Sequence, residues 1–338
     1  MKKLFITLII VAMGSMVMAQ SEQGRKGMTE WTGNFSYELG NYYGKLAYTH
    51  EEMLALLESR GLLVEDRKRA EHILSNVSLT RLENYLMALA ESTDPVRFRE
   101  GATFEQAYAL YGFDRRLREL IFHEMGKIEI SIRTHMAYAC NAREKGYWFL
   151  NPEYFRSKNG QEKTLRHIKM ELDRSDNEAI KLFKAKYSNE FPPSWIALEA
   201  VSMGTLNILY SQLGDESLRH NISGYYGLDP ETFSSWIRHL VSVRNSCAHH
   251  NRIWNSTPSI KAMIPLFTAK PFPRMSEGDR DHIYMTLCII KYLQNTVKPT
   301  NSFGRRLRTL VDNFKMIDAS LMGFPEGWGE LPFWQDAQ

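Results

Sequence analysis

The feature that most constrains this chain is a long apolar repeat between Asp114 and Cys140. Leu117, Leu120, Ile121, Met125, Ile128, Ile132, Met136 and Ala139 recur at steps of three and four. That spacing lines one face of an α-helix and fits no strand, so a long amphipathic helix is expected across the middle of the sequence. Helix signals surround it. Thr49 with Glu52, Thr80 with Glu83, and Thr103 with Gln106 each have the spacing of a capping box, and Gly61 is placed to stop the first helix. A polar helix is expected near 161–173, a largely apolar one from Trp195 to Leu213 after Pro192 and Pro193, and two more near 279–296 and 303–319. Pro258, Pro265, Pro271 and Pro273 predict an irregular crossing in between. No run alternates convincingly enough to predict a sheet, and there is no internal repeat. The expected fold class is all-α, a multi-helix bundle with additional helices.

Composition excludes little beyond disorder. With 43% hydrophobic and 24% charged residues, a chain of 338 has enough apolar side chains for a core. A formal charge of +3 and a pI near 8.6 are too mild to announce a polyanion partner, which must be read from local patches. Cys140, Cys247 and Cys288 are odd in number and far apart, so they suggest neither a disulfide framework nor a zinc site. No metal and no cofactor is expected.

The first 19 residues have the form of a secretory leader, with Lys2 and Lys3, an apolar run from Leu4 to Met13, and Val17-Met18-Ala19 as a cleavage site. If it is removed, the remainder is nearly neutral. An alternative is initiation at Met28. Residues 20–48 read as a linker, 49–320 as the helical domain, and 321–338 as a C-terminal tail.

Pointed chemistry is concentrated between Arg244 and Asn255. Trp236, Leu240, Val243 and Cys247 form a buried helical stripe, while Arg238, Ser242, Asn245, His249 and Arg252 recur on the opposite side. Arg244 lies roughly 140° around the helix from His249, and a long side chain or a loosened helix end is expected to bring the two into one cleft. A histidine titrates near neutral pH and can move a proton to or from a ribose oxygen, while an arginine can hold a phosphate through two donors. The spacing R-x4-H alone is weak, because about one chance match is expected in a chain this size.

The longer string RNSCAHHNRIWN, from Arg244 to Asn255, resembles the signature of the Abi family of abortive-infection phage-resistance proteins, within the wider HEPN group of helical nucleases. The resemblance extends to EEMLALLESRGL (51–62), GATFEQAYALYGFDRRLRELI (101–121), KIEISIRTHMAY (127–138) and SWIALEAVSMGTLNILY (194–210). It implies a HEPN-like helical fold over 49–320, a role in phage defence, and a composite RNA-cleaving site across a homodimer. Carried onto this sequence, it assigns Arg244 to phosphate and transition-state stabilisation, His249 to proton transfer and Asn245 to orientation, with His250 and Arg252 at matching positions. Arg115 and Arg116 are candidate RNA contacts. Against that, the run Asp114, Arg115, Arg116, Arg118 is commonly a solvated face or ion-pair network. The expected partners are RNA, a second copy, and an antitoxin or phage-derived trigger, with no membrane association of the mature domain. Such a protein acts in the cytoplasm, in conflict with the leader. A non-catalytic RNA-binding or protein-interaction module is the alternative.

Overall fold

The computed structural model describes residues 48–93, 95–139 and 146–336. The leader, Met28, nearly all of the linker and Cys140 lie outside the described residues. The chain divides into two compact units, with the boundary between Gly112 and Phe113. The helical region 49–320 spans that boundary.

In the first unit, α1 (His50–Ser59), α2 (Arg67–Asn76) and α3 (Leu79–Met87) precede a hairpin of β1 (Ala90–Thr93) and β2 (Val96–Phe98). The box at Thr49 forms as expected: its hydroxyl accepts from the Glu52 amide at 3.2 Å, and the Glu52 carboxylate accepts from the Thr49 amide at 2.7 Å. Gly61 follows with φ of +92°, a conformation that costs other residues a Cβ clash. The third helix is capped by Ser78 rather than Thr80, which leaves Glu83 inside the helix and buried. The hairpin escapes sequence reading because its strands have four and three residues with a bulge between Ala90 and Ser92.

The long helix, α4 (Phe104–Tyr138), starts ten residues before Asp114 because Thr103 and Gln106 cap each other at 3.1 Å in both directions. The boundary between the units falls within it.

In the second unit, the rest of α4 is followed by α5 (Lys158–Arg174), α6 (Glu178–Lys186), α7 (Ser194–Ala197), α8 (Met203–Gln212), α9 (Glu216–Tyr225), α10 (Pro230–Ala248), α11 (Ile283–Val297) and α12 (Phe303–Asp312). The expected helix from Trp195 to Leu213 is broken at Ser202, whose side chain caps α8 while the Glu171 carboxylate accepts from its backbone amide at 2.6 Å. The last helix stops at Asp312, short of Ala319. Helix α8 packs against both α5 and α10. The core is centred on α11, buried at every position from Ile283 to Gln294. Two of its polar members donate hydrogen bonds: the Gln294 amide to the Glu124 carbonyl at 2.7 Å, and the Lys291 ammonium to Asp336 at 2.8 Å.

The segment read as a tail is packed into this unit. Trp334 is fully buried and donates to the Tyr284 hydroxyl at 3.1 Å, while Asp336 accepts from the Gly304 and Arg305 amides at the start of α12. The proline-rich crossing is irregular as expected and is pinned to α10. Trp236 donates to the Met263 carbonyl at 2.9 Å, and His239 Nδ1 donates to the Ile260 carbonyl at 2.5 Å. Among the described residues no helix is long and apolar enough to cross a membrane.

Candidate active site

Asp229 starts α10 by accepting from the Glu231 and Thr232 amides, with Pro230 in the first turn where its missing N–H is harmless. Trp236, Leu240, Val243 and Cys247 are buried along one face, as their spacing predicts. The helix ends within the R-x4-H string. His249 is the C-cap, and its amide donates to the Asn245 carbonyl at 2.9 Å. His250 follows with φ of +57°, its amide bonded to the Cys247 carbonyl and that of Asn251 to the Ser246 carbonyl. This is a Schellman ending in which a histidine occupies the left-handed position usually given to glycine. The exchange costs on the order of 1 kcal/mol in backbone strain.

The turn that follows is held by α4. Asp114 and Arg118 form a buried ion pair one helical turn apart. The second Asp114 oxygen accepts from the amides of Ile253 at 3.2 Å and Trp254 at 2.6 Å, and Arg118 also donates to the Asn251 carbonyl. Both side chains are therefore committed to fixing residues 251–254, which identifies this part of the 114–118 run as an ion-pair network.

Beside this clamp lies a cleft of about 350 Å³, lined by Arg115, Arg118, Glu119, Phe122, Cys247, Ala248 and His250. Arg244 lies over one of these lining residues, with its guanidinium carbon 5.7 Å from the Phe122 ring centroid. A guanidinium hydrogen also points to Asn245 Oδ1 at 3.4 Å, and no carboxylate pairs with Arg244 among the described residues. Burial pushes the Cys247 thiol up to about 12, so it forms an inert wall of the cleft rather than a nucleophile.

The structure gathers some of the expected residues and separates others. Arg115 and His250 line the cleft and Arg244 lies over its Phe122 wall, with Arg115 3.6 Å from Glu119. No hydrogen bond joins Arg244 to His249 among the described residues. The helix stays regular through Ala248, without the loosened end that was one expected route to a shared cleft. The His249 ring is exposed and has no hydrogen-bond partner among the described residues. Arg252 lies beyond the helix and donates to the Asn255 carbonyl at 3.2 Å. Arg116 turns away from the cleft, over the Phe314 ring at 5.4 Å. Phe122 gives no functional signal in the sequence beyond being a large apolar residue off the buried stripe of α4, where it is 43% exposed. Among the described residues no group of three His, Cys, Asp or Glu side chains is arranged to hold a metal ion.

A mostly helical protein with arginine and paired histidines at the end of a buried-faced helix is the class these features define. A family model described as Abi-like protein matches residues 72–255, more than half of the chain. The chain belongs to the Abi-like family, and with it to the abortive-infection systems of defence against phage. No curated protein and no solved structure matches it.

Proposed function

We propose that this Abi-like protein is a metal-independent endoribonuclease whose site is the end of α10. The observation that carries the reading is Arg244: a guanidinium without a carboxylate partner among the described residues, held over Phe122 at the edge of a cleft that His250 also lines. An unneutralised arginine in such a place suits a phosphodiester, whose charge grows at the non-bridging oxygens as the reaction proceeds.

In the proposed reaction a histidine takes the proton of a ribose 2′-hydroxyl, and the oxygen attacks the adjacent phosphorus. The bond to the 5′ oxygen breaks, and that oxygen receives a proton from a second histidine. The products are a 2′,3′-cyclic phosphate and a 5′-hydroxyl. His249 is assigned to proton transfer, Asn245 to orienting it or the substrate, and His250 and Arg115 to holding the strand. Because separate acid and base roles need two histidines at one phosphate and each copy brings one His249, the working unit of this reading is a symmetric homodimer. The RNA substrate places that unit in the cytoplasm, kept silent by an antitoxin or until a phage-derived trigger arrives.

The test is incubation of purified protein with labelled RNA in excess chelator, with analysis of product ends. Cyclic phosphate ends are expected, and DNA or 2′-O-methyl RNA should resist. Arg244→Ala should lower the rate at least ~10²-fold, with poor rescue by Arg244→Lys, and His249→Ala should abolish cleavage while sparing binding. The exposed ring of His249 favours one second reading, a non-catalytic RNA-binding module, since no hydrogen bond among the described residues fixes the tautomer a general base needs. RNA bound but uncut by wild type and by both variants, even after a phage trigger, establishes that reading instead.

A further inference from the structure

A second, larger cleft of about 680 Å³ lies between α8, α10 and residues 261–280 of the proline-rich crossing. Three cations line it: Arg238, Lys261 and Arg280. Lys261 is paired with Asp281 at 2.5 Å, Arg280 with Glu277 at 2.5 Å, and the lining carboxylate of Glu231 with Arg219 at 2.6 Å. After these pairs are formed, the one charge in the cleft without a partner among the described residues is Arg238. Beside it, the Ser234 hydroxyl and the Asn207 amide are half-buried and also make no hydrogen bond among the described residues. Ser234 and Arg238 are one turn apart on α10, so both reach the same part of the cleft. On the opposite lip Met263, Ile264 and Leu266 give an apolar strip beside the paired Lys261, Glu277 and Arg280, and Leu266 is fully exposed.

The site thus offers one positive charge, two neutral polar groups and an apolar lip, in a volume suited to a small ligand. A phosphodiester carries one negative charge, its sugar and base edges use neutral donors and acceptors, and a base face can lie on aliphatic carbon. The placement of the cleft adds a direction. Arg238, Ser242, Asn245 and the C-cap His249 follow one another at steps of four, three and four along α10 to its end, within one narrow stripe. Arg238 and His249 are then about 16 Å apart along the helix axis, a few nucleotides of a single strand.

We propose that the cleft at Arg238 is a nucleoside-phosphate subsite that holds an RNA strand a few nucleotides away from the end of α10. The proposal rests on the ribonuclease reading for the source of its ligand, but the same chemistry would take a free nucleotide. The subsite makes the length of the RNA a determinant of affinity, since a strand must reach from His249 to Arg238 to gain the second contact.

The test measures binding in the uncleaving His249→Ala background, by fluorescence anisotropy of a labelled single-stranded RNA long enough to span both positions. Adding Arg238→Ala should weaken binding about tenfold, reduce the slope of log affinity against log salt by about one, and weaken a dinucleotide far less. Arg238→Lys should keep the salt slope while losing part of the affinity. Arg238 is exposed and unpartnered among the described residues, so its removal leaves the fold intact. If the long RNA binds and neither its affinity nor its salt slope responds to Arg238→Ala, the subsite is wrong and the ribonuclease reading stands. If RNA is neither bound nor cut, yet a nucleoside 5′-monophosphate raises the melting temperature of wild type and not of Arg238→Ala, the subsite stands with a free nucleotide as ligand and the ribonuclease reading falls. Should neither RNA nor nucleotide respond to Arg238, the proposal is overturned.

Discussion

Asp114 on α4 accepts hydrogen bonds from the backbone amides of Ile253 and Trp254, more than 130 positions away, while it neutralises Arg118 beside it. One carboxylate thereby sets the path of the chain just after the helix end that carries Arg244, His249 and His250. Removing it leaves a buried guanidinium and two amides uncompensated. Asp114→Ala should cost ~3–5 kcal/mol, measured by denaturant unfolding. Asp114→Leu combined with Arg118→Met should cost less than either single change, because no charge is then left buried; a double variant less stable than both singles contradicts this account.

The left-handed backbone at His250 predicts a stability difference between two variants that both lose the imidazole. His250→Gly should be more stable than His250→Ala by about 1 kcal/mol, since only glycine adopts a positive φ without a Cβ clash. Thermal unfolding of the pair checks it, and equal melting temperatures would show that the turn relaxes. Both should bind RNA more weakly than wild type if the cleft-lining imidazole contacts the strand.

His239 is buried on α10, donating from Nδ1 to the Ile260 carbonyl and accepting at Nε2 from the Thr286 hydroxyl at 2.8 Å. Burial pulls its pKa below the usual 6.5, outweighing the carbonyl contact that favours the charged ring. Burial also lowers His135, which lies against Tyr225. The unfolded chain takes up these protons at about 6.5 and the folded chain only at lower pH, so in that window the unfolded state binds more protons. The stability contribution is fully present above 6.5 and is lost as pH falls toward the folded values. Urea midpoints between pH 7.5 and 5 should decline, and His239→Gln should flatten the decline from a lower starting stability. A midpoint independent of pH in both proteins rules the linkage out.

The packed C-terminal segment predicts intolerance to truncation. Trp334→Ala should cost ~3–5 kcal/mol through the cavity it leaves among Tyr284, Phe303 and Trp328. A chain ending at Gly327 also loses Asp336, leaving the buried Lys291 without its carboxylate. Such a chain should unfold well below the wild-type temperature in calorimetry, whereas an unchanged transition would mean that the segment is dispensable.

How far the sequence reaches is clear from particular elements. Local rules determined α1, the capped start of α4 at Thr103, the buried stripe of α10 and the salt bridge of Glu129 with Arg133 at 2.8 Å, because each depends on residues within a turn or two of one another. The string from Arg244 to Asn255 was likewise legible, and with it the family. The sequence could not reveal that α10 ends inside that string with His250 in a left-handed turn, because glycine's usual place is taken by a residue without the signal. Nor could it show that Asp114 holds residues 253 and 254, that Arg116 leaves for Phe314, or that Lys291 is buried on Asp336. Those are pairings across the chain, and no local periodicity encodes them. Tertiary packing decided them because a buried charge or amide must find a partner wherever the folded chain supplies one.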